Sequence, residues 1–107
     1  MKVRFTAVHF SADQKLINFI EAKIMKLGTF YGKIIDGEVF LRLDKSDDTQ
    51  NKIVEIKLNA PGTALFAKKK SKSFEEAADS VVEALKKQIS KHKTKESLMD
   101  QSQLSGL

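Results

Sequence analysis

A chain of 107 residues, 41 % of them hydrophobic, supports one domain with one core and leaves little room for a second. Nineteen Lys+Arg against fourteen Asp+Glu give a formal charge of +5 and a pI near 9.5, a basic excess that points toward a polyanionic partner. The absence of cysteine excludes disulfides, thiol catalysis and Cys-based zinc sites; no apolar run follows Met1 or approaches the ~20 residues of a membrane span, so a cytoplasmic location is expected.

Residues 2–8 alternate, with Val3, Phe5 and Ala7 on one side and Lys2, Arg4 and Thr6 on the other, the period-two pattern of a strand. Ser11-Ala12-Asp13-Gln14 reads as a capping box, in which a hydroxyl and a side-chain amide exchange bonds with free backbone amides at a helix start. Ile17, Ile20, Ile24 and Leu27, with Leu16, form the apolar stripe of that helix, and Gly28 is placed to end it in a left-handed turn. A connection over 29–36 leads to a strand over 38–44, with Val39, Leu41 and Leu43 on one face. A polar loop over 45–51 joins it to a strand over 53–60, with Val54, Ile56 and Leu58 inward. Pro61-Gly62 marks a tight turn into a strand over 63–69 that presents Leu65 and Ala67 to the same side. Ser73-Phe74-Glu75-Glu76 is a second capping box, followed by the stripe Phe74, Ala78, Val81, Val82, Leu85 and Ile89. Residues 97–107 are polar with scattered Leu and no period, which predicts a disordered tail behind a single domain over 1–96.

The order β-α-β-β-β-α predicts an α+β, two-layer sandwich: a four-stranded mixed sheet with two helices on one face. A right-handed crossover makes the first two strands parallel, and short connections make the third strand antiparallel to its neighbours. Each helix therefore returns across the sheet in the same direction, and the two are roughly parallel with their C-termini at one end. The lysines concentrate toward that end. Lys23 and Lys26 lie within ~60° of each other on the first helix, with Lys33 just beyond. The second helix carries Lys86, Lys87, Lys91, Lys93 and Lys95 with no acidic residue among them. Such a pair of cationic helix ends suits the phosphates of folded RNA, whose deep, narrow groove hides the base edges and favours shape recognition. The competing explanation is that lysines near a helix C-terminus merely complement its dipole. A further run, Lys68-Lys69-Lys70 with Lys72, falls at the exit of the fourth strand and reads as edge protection or solubilisation.

Catalytic chemistry has no candidates. His9 falls in a strand–helix turn, and His92 sits among lysines, where it could stack on or bond to RNA. Asp44, Asp47 and Asp48 lack the ligand spacing and glycine of a calcium loop. No phosphate-cradling glycine loop, nucleophile elbow or metal-ligand pair occurs, so neither an enzyme nor a cofactor, metal or small-molecule substrate is expected.

The segment Leu85-Lys86-Lys87-Gln88-Ile89-Ser90-Lys91-His92-Lys93-Thr94-Lys95 resembles the end of the ribosome hibernation-promoting factor and ribosome-associated inhibitor family, also called sigma-54 modulation proteins. Ala22-Lys23-Ile24-Met25-Lys26-Leu27 and the helix start Phe74-Glu75-Glu76-Ala77-Ala78-Asp79 resemble it too, and the likeness covers about residues 2–95. The resemblance implies a β-α-β-β-β-α fold. It also implies binding to 16S rRNA of the small subunit, free or in the 70S ribosome, in the mRNA and tRNA channel, with translation blocked in stationary phase. It carries an RNA-contact role onto Lys23, Lys26, Lys86, Lys87, Lys91, His92, Lys93 and Lys95. The short form, without the added C-terminal dimerisation domain of long members and monomeric off the ribosome, is expected. The Phe30-Tyr31-Gly32 connection departs from the family's acidic-aromatic version. The older sigma-54 name supplies the alternative: a module that modulates a transcription factor through an acidic surface.

Overall fold

The structure, a computed structural model, describes residues 1–8, 10–46 and 49–105, with 96–105 described by backbone alone. The expectations for His9, Asp47 and Asp48 lie outside the described residues. Strand β1 (Lys2–Ala7) leads into helix α1 (Gln14–Phe30). Strands β2 (Asp36–Leu43), β3 (Lys52–Ala60) and β4 (Thr63–Ser71) follow, and helix α2 (Phe74–Ser105) completes the chain. The sheet order is β1-β2-β3-β4, with β1 parallel to β2 and the remaining pairs antiparallel. The four-stranded mixed sheet and the α+β class follow from the sequence pattern as derived above.

Alternation puts Val39, Leu41, Val54, Ile56, Leu58, Leu65 and Ala67 on the face that the helices cover, all of them buried. Against them α1 sets Leu16, Ile20, Ile24 and Leu27, and α2 sets Ala78, Val81, Leu85 and Ile89. Leu43, read as inward from the alternation, is exposed at the strand's end. The helices run in the same direction, as their contacts advance together. Phe10, ahead of α1, stacks on Phe74 at the start of α2 (ring centroids 5.3 Å apart). Lys23 meets Asp79 at 2.5 Å, and Lys93 donates to the Phe30 carbonyl at 3.3 Å.

Two local expectations are corrected. Asp13, not Ser11, caps α1: its carboxylate accepts from the Lys15 amide at 3.2 Å, and a negative charge suits the positive helix end better than a hydroxyl does. Gly28 does not end α1. The helix continues to Phe30, and the Tyr31 amide closes it by donating to Leu27 at 2.8 Å. Gly28 instead makes room for Met1, whose Cε lies 2.6 Å from where a β-carbon would stand. The left-handed glycine is Gly62 (φ +74°), in the turn between β3 and β4. Helix α2 runs to Ser105. No Gly or Pro stands between Phe74 and Ser105 to break it, while Gly106 and Leu107 lie outside the described residues. The second capping box forms by half. Ser73 Oγ accepts from the Glu76 amide at 3.1 Å, but the Glu76 carboxylate takes the Ser71 hydroxyl at 2.8 Å.

The open face of the sheet is neutralised pairwise. Arg4 bonds Glu38 at 2.6 Å, Arg42 pairs with Glu55, Lys68 lies 3.8 Å from Glu55, and Lys70 meets Asp44 at 3.0 Å. Asp44 also accepts from the Ser46 hydroxyl (2.6 Å) and amide (3.0 Å), and these bonds, with Lys70, lower its pKa from 3.8 to about 2. A depressed carboxylate stabilises the fold above its unfolded pKa and loses that contribution as pH falls through the folded one. The difference in melting temperature between wild type and Asp44→Asn is therefore expected to hold steady above about pH 4 and to shrink toward pH 2, as read by thermal melts across that range.

Candidate nucleic-acid interface

The stripe that buries Leu85 and Ile89 fixes where every lysine of α2 points. At 100° per residue, Lys86 and Lys93 fall on the flank toward α1, whereas Lys87, Lys91 and Lys95 form an i, i+4, i+8 row on the outward side. The α1 stripe likewise turns Lys23 and Lys26 toward α2. The result is a groove of about 420 Å³ between the helices, lined by Lys23, Lys26, Phe30, Val82, Glu83 and Lys86 among others. At its end Lys93 lies over the Phe30 ring, 4.5 Å from the centroid. Lys23 lies 4.9 Å over Phe19 and is held by Asp79, so part of its charge is spent inside the molecule.

The sequence-predicted residues thus divide between two sides of α2. Lys23, Lys26, Lys86 and Lys93 gather on the inter-helix side. Lys87 and Lys91 line a second hollow, of about 580 Å³, toward β4. Lys95 is exposed one turn beyond Lys91. His92 is turned inward: half-buried, its ring meets Tyr31 edge-on at 5.9 Å and ties the end of α1 to α2.

One residue that the sequence reading set aside joins the second hollow. Lys69 lines it together with Lys87 and Lys91. Its signal was the strand period. Lys69 stands opposite buried Val54 on the helix side of the sheet, while Lys68 and Lys70 stand opposite Glu55 and Ile53 on the other. Alternation splits the run that composition had treated as one block.

The dipole explanation of the lysines also fails on the geometry. Neither helix carries a basic residue in its last turn, and the effect of the dipole fades within that turn. The lysines of α2 sit mid-helix, where the dipole does not account for their charge.

A family model described as "Sigma 54 modulation protein / S30EA ribosomal protein" matches residues 3–97. The chain belongs to this family. A ribosome hibernation promoting factor of Pseudomonas putida is 28 % identical over 96 residues, covering 90 % of each chain. Among solved structures, a ribosomal subunit interface protein from Coxiella burnetii superposes with TM-score 0.79 at 21 % identity, over 88 % of this chain and 99 % of that one. The N-terminal domain of Thermus thermophilus Protein Y gives TM-score 0.68 at 18 % identity, over 85 % and 94 %. At these identities the two structures establish the family's fold in this chain. Both cationic hollows lie within the matched segment. Among the described residues there is no metal-binding group of acidic or histidine side chains, and no helix is long and apolar enough to cross a membrane.

Proposed function

We propose that this protein is a ribosome-associated hibernation factor. It sits on the small subunit, free or within the 70S ribosome, and lays α2 and the adjoining flank of α1 against 16S rRNA in the mRNA and tRNA channel. Translation stops because the channel is filled; no bond is made or broken. Residues 1–96 carry this activity, in the cytoplasm and as a monomer off the ribosome.

The observation that supports it most is the shared groove. Lys23 and Lys26 stand sixty or more positions before Lys86 in sequence, yet the three line one concave surface. A phosphate backbone entering it meets charge from both walls, and each phosphate neutralised releases condensed counterions. The two-helix surface reads the shape of a folded RNA, not its base edges.

The test is co-sedimentation with purified 30S and 70S particles across a potassium chloride series, paired with cell-free translation. The expected outcome is retention at low salt, steep release with rising salt, and loss of peptide synthesis in proportion to occupancy. Absence from 30S particles at low salt would reject the reading. So would a major partner that survives exhaustive nuclease treatment, which would favour the acidic protein partner of the sigma-54 alternative.

A further inference from the structure

We propose that Lys69, with Lys87 and Lys91, forms a second seat for polynucleotide phosphates on the β4 flank of α2, so that α2 lies between two runs of RNA backbone. The inference rests on the RNA-binding reading above and adds a surface to it.

The argument begins with the strand. β4 is an edge strand, so its helix-side residues beyond the core look out past α2 instead of under it. Leu65 and Ala67 on that side are buried, whereas Lys69, two residues on, is exposed. Its neighbours Lys68 and Lys70 spend their charge on Glu55 and Asp44 across the open face. Lys69 makes no ion pair among the described residues, and it lines the same hollow as Lys87 and Lys91.

The arrangement is held in place by Gln88. Its side-chain amide donates to the Phe66 carbonyl at 2.7 Å, and its oxygen accepts the Phe66 amide at 3.3 Å. This two-bond clasp fixes α2 against β4 at the turn that carries Lys87 and Lys91, and so sets their position relative to Lys69. Three cations on two clamped elements, against the two carboxylates Asp79 and Glu83 of which Asp79 is paired with Lys23, leave a hollow of net positive charge beside the inter-helix groove. Glu83 borders both hollows and marks the crest between them. A phosphodiester backbone fits such a surface, since it brings a row of charges and no demand for base contacts.

The experiment titrates the full-length protein and its Lys69→Ala variant onto purified 30S subunits over a range of potassium chloride concentrations. Lys68→Ala serves as the control on the opposite face. Loss of one phosphate contact lowers the slope of log affinity against log salt by about 0.7–0.9, and so weakens binding about six-fold at 0.1 M salt. Lys68→Ala is expected to leave both unchanged. Because Lys69 is exposed, thermal melting of the variant should match wild type. If wild type binds and Lys69→Ala binds with the same slope and affinity, the second seat is refuted while the first reading stands. If wild type itself does not bind, both fall.

Discussion

Replacing Lys86, Lys87, Lys91 and Lys93 together with alanine is expected to cut affinity for 30S subunits by about a thousand-fold at 0.1 M salt, with the fold intact. Each lysine–phosphate contact contributes about 0.7–0.9 to the salt slope, so four contribute about three. At one decade below the 1 M reference, three units of slope correspond to three decades of binding. The non-electrostatic part of the interface, which dominates near 1 M, should be little altered. Lys86, Lys87 and Lys91 are exposed and cover no core. Only Lys93 has an internal role, over Phe30 and on its carbonyl, which at an exposed site costs about 0.5–1 kcal/mol. Filter binding or sedimentation at several salt concentrations, with a urea melt on the same protein, checks both halves. Unchanged affinity and slope would remove these lysines from the interface.

Leu85→Ala, one residue away, should do the reverse. Leu85 is fully buried between α2 and the sheet. Removing its isobutyl group loses transfer free energy and leaves a cavity, a loss of about 2–5 kcal/mol. For a domain of this size, whose total stability is about 5–15 kcal/mol, that amounts to a drop in melting temperature of about 10–30 °C. Binding should follow the folded fraction, with an unchanged salt slope. The contrast between adjacent positions separates scaffold from surface on a single helix turn, and a Leu85→Ala protein that melts like wild type would contradict the core described here.

The features legible in the sequence were those with a strong period. Strand alternation at Val39, Leu41, Val54, Ile56 and Leu58 and the stripes of both helices fixed the element order, and chain connectivity fixed the pairing. The features missed were decided by competition between local and tertiary effects. Gly28 looks like a helix stop, yet Met1, far off in sequence, packs beside it. Ser11 heads a capping-box pattern, yet the Asp13 carboxylate takes the Lys15 amide. At the site, the helical lysines were found because their residue types and density stand out. Their split between two flanks follows only once Leu85 and Ile89 are known to point inward. Lys69 was hidden inside a run of like charges, where composition says more than position. His92 shows the opposite error: a residue that stands out among cations turns its ring toward Tyr31.

The clasp of Gln88 on Phe66 also bears on how copies of the molecule are kept apart. The margin of β4 offers unpaired peptide groups, the kind of seam along which copies of a chain stitch into fibrils. A carboxamide carried by the neighbouring helix already occupies that seam, so an intruding chain would have to prise α2 loose before it could knit to this border. The sheet is thereby fitted with a selvedge along one of its two free hems.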